Sequence, residues 1–457
     1  MSAVGLQAKF QDVSPWSRHL PSPHLRRLLS GRTGLVKELL LSPTEPGDPR
    51  LVNVSTLNSD VARVLGVDGP AELRSAAVGT NRRDACNRAL GEAAERYAAY
   101  VYDPAATQLG SADQLRTCGY DTVEPESFPL FAAEQYADPH FSFRPFTSDT
   151  YLRWTPGRSM LDNRVVWAPS QVVHFGYKRA EGEPLIAYPT SSGCAAGPDL
   201  PSALFGGLME QVERDSFMIA WYARLALPHV DLNSDPAVAQ FVRQAGLNDP
   251  QRQYDLLWST TDLGIPSCFG VTRAVVGGGR RAMAGGAAHV QQNEAALKAL
   301  RELAQNVPYM KFVLASDPYP DGATKTFNNF EDNLRYFCRP EKVDELDAIT
   351  SSERIHKLGE EHSVGTEPDT PITGLRAGLR RLRTHGMEPL VFDLTPPDIA
   401  SCGTVVTRVL VPGFAQLGVP GQPYLGSARI YEAPQAMGHR DHRLAFADLN
   451  LRPHPYP

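Results

Sequence analysis

Three stretches of the chain repeat apolar residues every three or four positions, the pattern of a helix with one buried face. This spacing predicts helices over residues 81–102, 200–225 and 293–306. Pro308 is expected to end the third helix, because proline lacks the backbone N–H that a helix interior requires. Residues suited to N-capping precede the first two helices: Asn81 and Asp199.

Shorter apolar runs bounded by turn residues predict strands. Residues 51–56 read as a strand, and residues 34–41 as a strand or a short helix. The Asp162-Asn163 pair predicts a hairpin turn, and the glycines at 277–279 predict a turn between two further strands. The combination predicts an α/β (α+β) fold with a substantial sheet, and the charged residues 316–365 are expected at the surface.

Composition narrows the class of protein. The chain has 457 residues, of which 42% are hydrophobic and 21% charged, as in an ordinary folded domain. The net charge of −6 argues against a nucleic-acid-binding protein, whose surface is normally basic. The sequence shows neither an apolar segment long enough to span a bilayer nor a signal peptide, so a cytoplasmic location is expected.

The six cysteines do not indicate a structural zinc site. They are scattered along the chain, without C-x-x-C spacing or a close Cys/His pairing. Reduced and mostly buried thiols are therefore expected.

The sequence E-x-x-E-R occurs twice, at Glu92–Arg96 and at Glu210–Arg214, each time within a predicted helix. The two glutamates of each copy share a helix face. A single motif of this kind is most simply a solvated ion pair, which stabilises a helix by about 0.3–0.5 kcal/mol. Two copies in apolar helices favour a different interpretation, since a buried carboxylate needs a partner or a metal.

Four converging carboxylates and two arginines suit a magnesium-nucleotide site. Mg²⁺ prefers oxygen ligands, and arginine binds phosphate oxygens through paired N–H groups. The chain has no Walker A sequence, and the glycines at 277–279 are explained by a turn between strands. The residues alone therefore allow either surface ion pairs or a nucleotide site.

Several segments, taken in order, resemble the ATP-binding motifs of the YcaO family. They are the two E-x-x-E-R copies, residues 190–197 and the Glu302–Gln305 segment; residues 34–39, 391–398 and 409–413 resemble its cyclodehydratase branch. The P-x-P-x-P terminus at residues 453–457 is similar to that of azoline-forming members, the D-proteins of thiazole/oxazole-modified peptide biosynthesis.

The resemblance implies a YcaO-type fold, with mixed sheets packed against helices around a central ATP-binding cavity. It implies ATP and Mg²⁺ as cofactors, with the metal held by Glu92, Glu95, Glu210 and Glu213. The implied nucleotide-binding residues are Arg96, Ser192, Arg214, Glu302 and Gln305. Catalytic roles would fall to Arg214 and to the C-terminal carboxylate of Pro457.

The chain departs from the family pattern at four positions. Val78 stands where a lysine is common, Arg88 where a serine is common, Pro198 in place of asparagine and Ser202 in place of glutamate. Arg88 lies one helical turn before Glu92, so it can pair with Glu92 or reach phosphate, and pairing is the preferred interpretation.

The function implied by the resemblance is ATP-dependent cyclodehydration of a ribosomal precursor peptide, which forms thiazoline or oxazoline rings from Cys, Ser or Thr. Thioamide- or amidine-forming YcaO chemistry and a non-catalytic scaffold are the alternatives. A separate leader-binding partner resembling ubiquitin-activating enzymes is implied, and a homodimer is plausible. We expect an N-terminal region at 1–65, the catalytic core at 66–400 and a C-terminal region at 401–457.

Overall fold

A computed structural model of the protein describes residues 19–66, 74–316, 330–360, 364, 370–419 and 421–456. Within these ranges the chain mixes helices with three sheets. The strands in chain order are β1 Val36–Ser42, β2 Val52–Asn58, β3 Ala76–Gly79, β4 Gln108–Gly110, β5 Leu152–Ser159, β6 Val165–Pro169, β7 Cys194–Gly197, β8 His229–Asp231, β9 Arg252–Trp258, β10 Ser267–Val276, β11 Gly279–Ala288, β12 Ile355–Lys357, β13 Leu390–Asp393 and β14 Val405–Leu410.

The α-helices are interspersed between these strands. In chain order they are α1 Val61–Leu65, α2 Arg82–Tyr100, α3 Ala112–Thr117, α4 Ala133–Tyr136, α5 Ser170–Val173, α6 Leu200–Tyr222, α7 Pro236–Ala245, α8 Gln292–Ser316, α9 Phe330–Phe337, α10 Asp347–Thr350, α11 Pro371–Thr384, α12 Pro397–Ser401 and α13 Ala428–Ala436. Short 3-10 helices lie at Leu25–Leu28, Pro104–Ala106, Pro125–Ser127, Pro340–Leu346 and Phe446–Asp448. None of the helices in the described ranges combines the length and the apolar character that crossing a bilayer requires.

The three sheets are mostly antiparallel. One has the order β1-β2-β3, the second β11-β10-β9-β8-β12 and the third β4-β5-β13-β14-β7, with β6 paired to β5. Only β8 and β12 pair in parallel among the strands described. The predicted turns are confirmed: Asn163 has a left-handed φ of 64° between β5 and β6, and Gly277 and Gly278 have φ of 58° and 77° between β10 and β11.

The two longest helices predicted from spacing are confirmed, and each begins at its predicted cap. The Asn81 side chain accepts a hydrogen bond from the Asp84 N–H at 3.0 Å. The Asp199 side chain accepts one from the Ser202 N–H at 2.9 Å. These caps satisfy N–H groups that the first helical turn leaves unpaired.

The position of α6 organises the molecule. It packs against β7 and β14 of one sheet and against β11 of another, while α2 packs on β3 and also reaches β7. Small residues allow the close approach, since a Cβ on Gly207 would lie only 2.6 Å from the carbonyl oxygen of Gly193. Both helices that carry E-x-x-E-R therefore meet at β7.

Two expectations were wrong. Pro308 does not end the third helix, because α8 continues to Ser316 and packs on β10 and β11 through buried Val307 and Met310. That burial offsets the cost of an interior proline, about 3 kcal/mol. Nor is the segment 316–365 all surface: in its described part, Phe337 and Leu346 are buried.

The predicted α/β (α+β) class is confirmed by this architecture. The division of the chain at residues 65 and 400 stays a prediction. Five of the six cysteines are buried and Cys118 is exposed, and all six are free thiols, as expected.

Candidate functional site

One glutamate of each acidic pair lies close to one of the other pair, beside β7, on which both α2 and α6 pack. Burial raises the pKa of Glu95 well above its ordinary range, and the nearby negative charge of Glu210 raises it further. The same two carboxylates both act on Cys194 of β7, whose pKa burial raises to about 12. Glu95 and Glu210 therefore lie close together, although 115 positions separate them in the sequence.

Glu92 is held by the backbone of β3. The N–H of Ala76 donates to Glu92 Oε2 at 3.2 Å, and the carbonyl of the same residue accepts from Gln305 Nε2 at 3.3 Å. One residue of an edge strand thus links α2 to α8. The segment where the family commonly carries a glycine-lysine-glycine loop is a regular strand here, and its backbone joins two predicted site residues.

Arg96 connects α2 to the loop that precedes β7. Its guanidinium lies 3.7 Å from Glu92 Oε1 and donates a hydrogen bond to the hydroxyl of Ser191. The next residue, Ser192, is buried, and Gly193 turns the chain with a φ of 84°. A side chain at Gly193 would collide with the Val409 carbonyl 2.0 Å away, so this turn requires glycine.

Arg214 lies between the two glutamates of its own helix. Its Nη2 is 3.2 Å from Glu210 Oε1 and its Nη1 is 3.0 Å from Glu213 Oε1. The geometry of the second contact makes it an ion pair but not a hydrogen bond, and Arg214 Nε has no hydrogen-bond partner among the described residues. The guanidinium therefore keeps donor capacity for an oxygen-rich ligand.

Glu213 and Glu302 complete the acidic lining. Burial raises the pKa of Glu213 to about 7, against the opposing effect of Arg214. Burial likewise raises the pKa of Glu302, although its side chain is exposed to solvent. The negative charge of Glu302 also contributes to the raised pKa of Glu213, so these two carboxylates lie near each other.

Two glycines of β11 allow this close packing. A Cβ on Gly285 would lie 3.0 Å from the Cβ of Glu302, and one on Gly286 would lie 3.8 Å from the Cγ of Glu213. A larger residue at Gly285 would therefore press on Glu302, whereas the close approach at Gly286 is to the Cys268 carbonyl oxygen at 2.9 Å and the contact with Glu213 is an ordinary one. The spacing of apolar residues does not predict this support, although a Gly-Gly pair inside a strand is a signal of close approach.

The C-terminal tail contacts one of these carboxylates. Pro455 and Tyr456 are buried, and the Tyr456 hydroxyl donates a hydrogen bond to Glu213 Oε1. The catalytic role predicted for the tail concerns the carboxylate of Pro457, which lies outside the described residues. Tyr456 itself was missed, because nothing local in the sequence connects residue 456 with residue 213.

The predicted pairing of Arg88 with Glu92 is wrong. Arg88 Nε binds Asp84 Oδ1 at 3.0 Å instead, and its side chain is 47% exposed. The carboxylates of Asp84 and Glu92 are each one helical turn away from Arg88. Glu92, however, already accepts a hydrogen bond from the Ala76 N–H and pairs with Arg96.

The donor set fits a magnesium-bound nucleotide. Within the described ranges, no three His, Cys, Asp or Glu side chains form a metal cage by themselves. Mg²⁺ commonly takes only one or two carboxylates per ion and completes its shell with water and phosphate oxygens. Glu210 raises the pKa of Glu95, and a cation that enters between the two carboxylates would favour the charged form of Glu95.

Comparison with known proteins agrees with this chemistry. A family model described as YcaO cyclodehydratase, ATP- and Mg²⁺-binding, matches residues 76–415. A solved heterocyclase in complex with substrate and cofactor is 25% identical, with a TM-score of 0.76 over 95% of this chain. The heterocyclase TruD is also 25% identical, with a TM-score of 0.63 over 94% of this chain.

The chain spans 57% of the length of each of these two heterocyclases. The YcaO protein of Methanopyrus kandleri, solved with AMPPCP and Mg²⁺, shares the fold with a TM-score of 0.59 at 20% identity. That match covers 87% of this chain and 92% of the archaeal protein. The expected fold and the expected cofactors, ATP and Mg²⁺, are thus confirmed.

Proposed function

The chain belongs to the YcaO family, and from this premise we propose that it is a peptide cyclodehydratase that forms azoline rings with consumption of ATP. The observation that carries the proposal is the proximity of Glu95 on α2 to Glu210 on α6, beside Glu213, which the proline-rich tail contacts through Tyr456. Similarity to two heterocyclases over nearly the whole chain supports the same reaction class.

We assign Mg²⁺ binding to four glutamates on two helices: Glu92, Glu95, Glu210 and Glu213. Each is partly or largely shielded from bulk solvent, and three of them are within reach of an arginine on the same helix. The arginines hold these carboxylates in place before metal binds. Because each helix contributes one pair, the relative position of α2 and α6 sets the spacing of the metal ligands.

Nucleotide binding falls to the residues around these carboxylates. Arg96 and Arg214 would bind phosphate oxygens through their planar guanidinium groups. Gln305 lies on α8 and donates to the Ala76 carbonyl, and Ser192 follows Ser191, whose hydroxyl accepts from Arg96. Glu302 lies near Arg214 and Glu210, whose charges act on its pKa.

The reaction begins on the substrate peptide. A Cys, Ser or Thr side chain attacks the preceding amide carbonyl, and the former carbonyl oxygen must then leave. When bound, the magnesium nucleotide supplies a phosphoryl group that lets this oxygen depart as phosphate, so one water equivalent is lost per ring. Arg214 and Arg96 stabilise the negative charge that develops, and their fixed positions avoid reorganisation at that moment.

Proton removal is assigned to the C-terminal carboxylate of Pro457. The hydrogen bond from its sequence neighbour Tyr456 to Glu213 supports this assignment. The carboxylate would accept the proton from the amide nitrogen or the attacking side chain as the ring closes.

The peptide substrate is proposed to need a second protein. The two solved heterocyclases are longer than this chain, which spans 57% of each. We propose that a separate leader-peptide-binding partner, resembling ubiquitin-activating enzymes, presents this peptide, as the resemblance to azoline-forming members of the family implies. The assignment of residues 66–400 as the catalytic core and of 401–457 as a tail-bearing region belongs to the same proposal.

The proposal is tested by ATP hydrolysis with candidate precursor peptides, with and without partner protein, followed by peptide mass spectrometry. Peptide-stimulated phosphate release and loss of one water per ring are expected. Glu210→Ala should lower the rate by about 10²–10³, the range seen when one electrostatic group is removed from an active site.

The matched control is Glu432→Ala, which removes a 58% exposed glutamate from α13 and should leave the rate unchanged. Replacement of a peptide oxygen by sulfur would instead indicate thioamide formation. A peptide whose mass never changes would reject the proposed reaction, and full activity of Glu210→Ala would reject the assigned site.

A further inference from the structure

Tyr456 contacts Glu213 and Arg214, the last two residues of the second E-x-x-E-R motif. Its hydroxyl donates to Glu213 Oε1, and the Arg214 guanidinium carbon lies 4.1 Å from the centre of its ring. The ring also packs against Phe217, one turn further along α6, at 5.0 Å between centroids. The side chain is only 5% exposed, so these contacts are shielded from solvent.

The tail that carries Tyr456 is fixed by contacts on both sides of it. His454 Nε2 donates to the Gly418 carbonyl at 2.8 Å, and Asn333 Nδ2 donates to the Tyr456 carbonyl at 3.4 Å. The N–H of Ala284 donates to the Pro455 carbonyl at 3.3 Å, which attaches the tail to the edge strand β11. The tail is therefore seated without help from the Tyr456 hydroxyl.

Packing does not explain why residue 456 carries a hydroxyl group. A phenylalanine would fill the same space against Phe217 and cover Arg214 equally well. A hydroxyl that donates to a carboxylate restricts its orientation, and Tyr456 and Arg214 both contact the same oxygen, Oε1, of Glu213. The hydrogen bond to a charged acceptor is also among the stronger kinds in proteins.

We infer that Tyr456 is a positioning residue, whose hydroxyl sets the orientation of Glu213 and whose ring sets that of Arg214, so that seating of the tail and binding of the magnesium nucleotide favour each other. The inference rests on the proposed function, because it takes Glu213 as a metal ligand and Arg214 as a nucleotide ligand. Coupling of two binding events is reciprocal. The nucleotide must then tighten the tail as much as the tail tightens nucleotide binding.

The test compares Tyr456→Phe with Tyr222→Phe in the full-length protein. Tyr222 lies at the end of the same helix α6, is 1% exposed, and its hydroxyl has no hydrogen-bond partner among the described residues. Both variants lose one buried hydroxyl, but only Tyr456→Phe loses a bond to Glu213.

The first measurement is the dissociation constant of AMPPCP with Mg²⁺, by calorimetry without peptide. Tyr456→Phe should weaken binding roughly tenfold or more, as expected for loss of a hydrogen bond to a charged group. Tyr222→Phe should bind as the wild type does. Equal affinities in the two variants would overturn the inference.

The second measurement is hydrogen exchange at the Ala284 amide, which reports whether Pro455 is seated. AMPPCP with Mg²⁺ should slow this exchange in the wild type and in Tyr222→Phe, and much less in Tyr456→Phe. A purely structural tyrosine would not change the response to nucleotide. Equal slowing in all three proteins would therefore contradict the inference.

Failure of the inference differs from failure of the proposed reaction. A wild type that forms azolines while Tyr456→Phe and Tyr222→Phe bind AMPPCP equally would overturn the role of Tyr456 alone. A wild type that never changes the mass of a peptide, while Tyr456→Phe selectively weakens AMPPCP binding, would overturn the reaction and support the role of Tyr456.

Discussion

Glu95 illustrates how one side chain can be costly for the fold and necessary for the site. It is surrounded by protein on α2, and the charge of Glu210 opposes its ionisation. Arg96 partly offsets this repulsion. A buried carboxylate under repulsion destabilises the fold unless a ligand compensates for it, and we propose that Mg²⁺ is the compensating ligand of Glu95.

We predict that Glu95→Gln separates stability from binding. Without ligand, its melting temperature should equal or exceed that of the wild type, because a repelled buried charge is removed. The increase in melting temperature that AMPPCP with Mg²⁺ produces in the wild type should be lost, since a ligand stabilises only the state that binds it. Thermal denaturation with and without these ligands measures both effects.

The control for this prediction is Glu432→Gln, which makes the same chemical change at an exposed position. It should keep the full ligand-induced increase. A Glu95→Gln variant that melts well below the wild type, yet keeps the ligand response, would mean that Glu95 serves the fold rather than the metal.

At the level of elements, the site depends on how α6 is held at its far side. Asp215, the residue after Arg214, is fully buried, and Arg429 on α13 binds both of its oxygens at 2.8–3.0 Å. Arg429 also binds Asp262 at 2.9 Å, and the Ala415 N–H donates to Asp215 at 2.9 Å. This network fixes the rotation of α6, and with it the direction of Glu210 and Glu213.

We predict that Arg429→Met costs about 3–5 kcal/mol in the free energy of unfolding, because it leaves Asp215 buried without its cation. Arg443→Met is the matched control. Arg443 pairs with Glu432 of the same helix at 3.2 Å, but both side chains are more than half exposed. An exposed pair contributes about 0–1 kcal/mol.

Denaturant unfolding of the two variants gives this comparison. Adding Asp215→Asn to Arg429→Met should recover part of the loss, since the buried charge is then removed as well. Equal stabilities of Arg429→Met and Arg443→Met would show that the network does not hold α6.

For the whole molecule, buried histidines set the response to acid. Burial lowers the pKa of His174 to about 3, and the nearby Arg408 adds to the effect. His174 lies against the Tyr102 ring at 5.2 Å and near the Thr155 hydroxyl at 3.1 Å. Burial also lowers the pKa of His289 to about 3.

The sign of the acid effect follows from the direction of these shifts. Near pH 7 the imidazoles are neutral in both states, so no stability is lost. Below about pH 6.5 the unfolded chain takes up protons that folded His174 refuses until about pH 3. Each pH unit in this window should therefore remove about 1.4 kcal/mol per such histidine.

We predict that His174→Gln flattens this dependence relative to the wild type between pH 6.5 and 4.5. Urea unfolding at several pH values measures the difference, with exposed His140→Gln as the control. Parallel curves for the wild type and His174→Gln would show that His174 does not contribute.

The sequence by itself determined what is local. Apolar spacing and capping residues gave α2 and α6 within a few positions, because helix formation depends on neighbours three and four apart. Turn residues gave the β5-β6 and β10-β11 hairpins. The motifs, taken in their order along the chain, also predicted the family and its cofactors, because the residue types of these motifs are present in this chain.

Only the tertiary structure decided which of these segments meet. Pro308 remains inside α8 because sheet packing outweighs its local preference, and Arg88 pairs with Asp84 because Glu92 is already engaged. The Tyr456–Glu213 bond and the Asp215–Arg429 network join residues more than 200 positions apart. Such contacts depend on how the two sheets enclose α6, and spacing along the chain carries no signal of that arrangement.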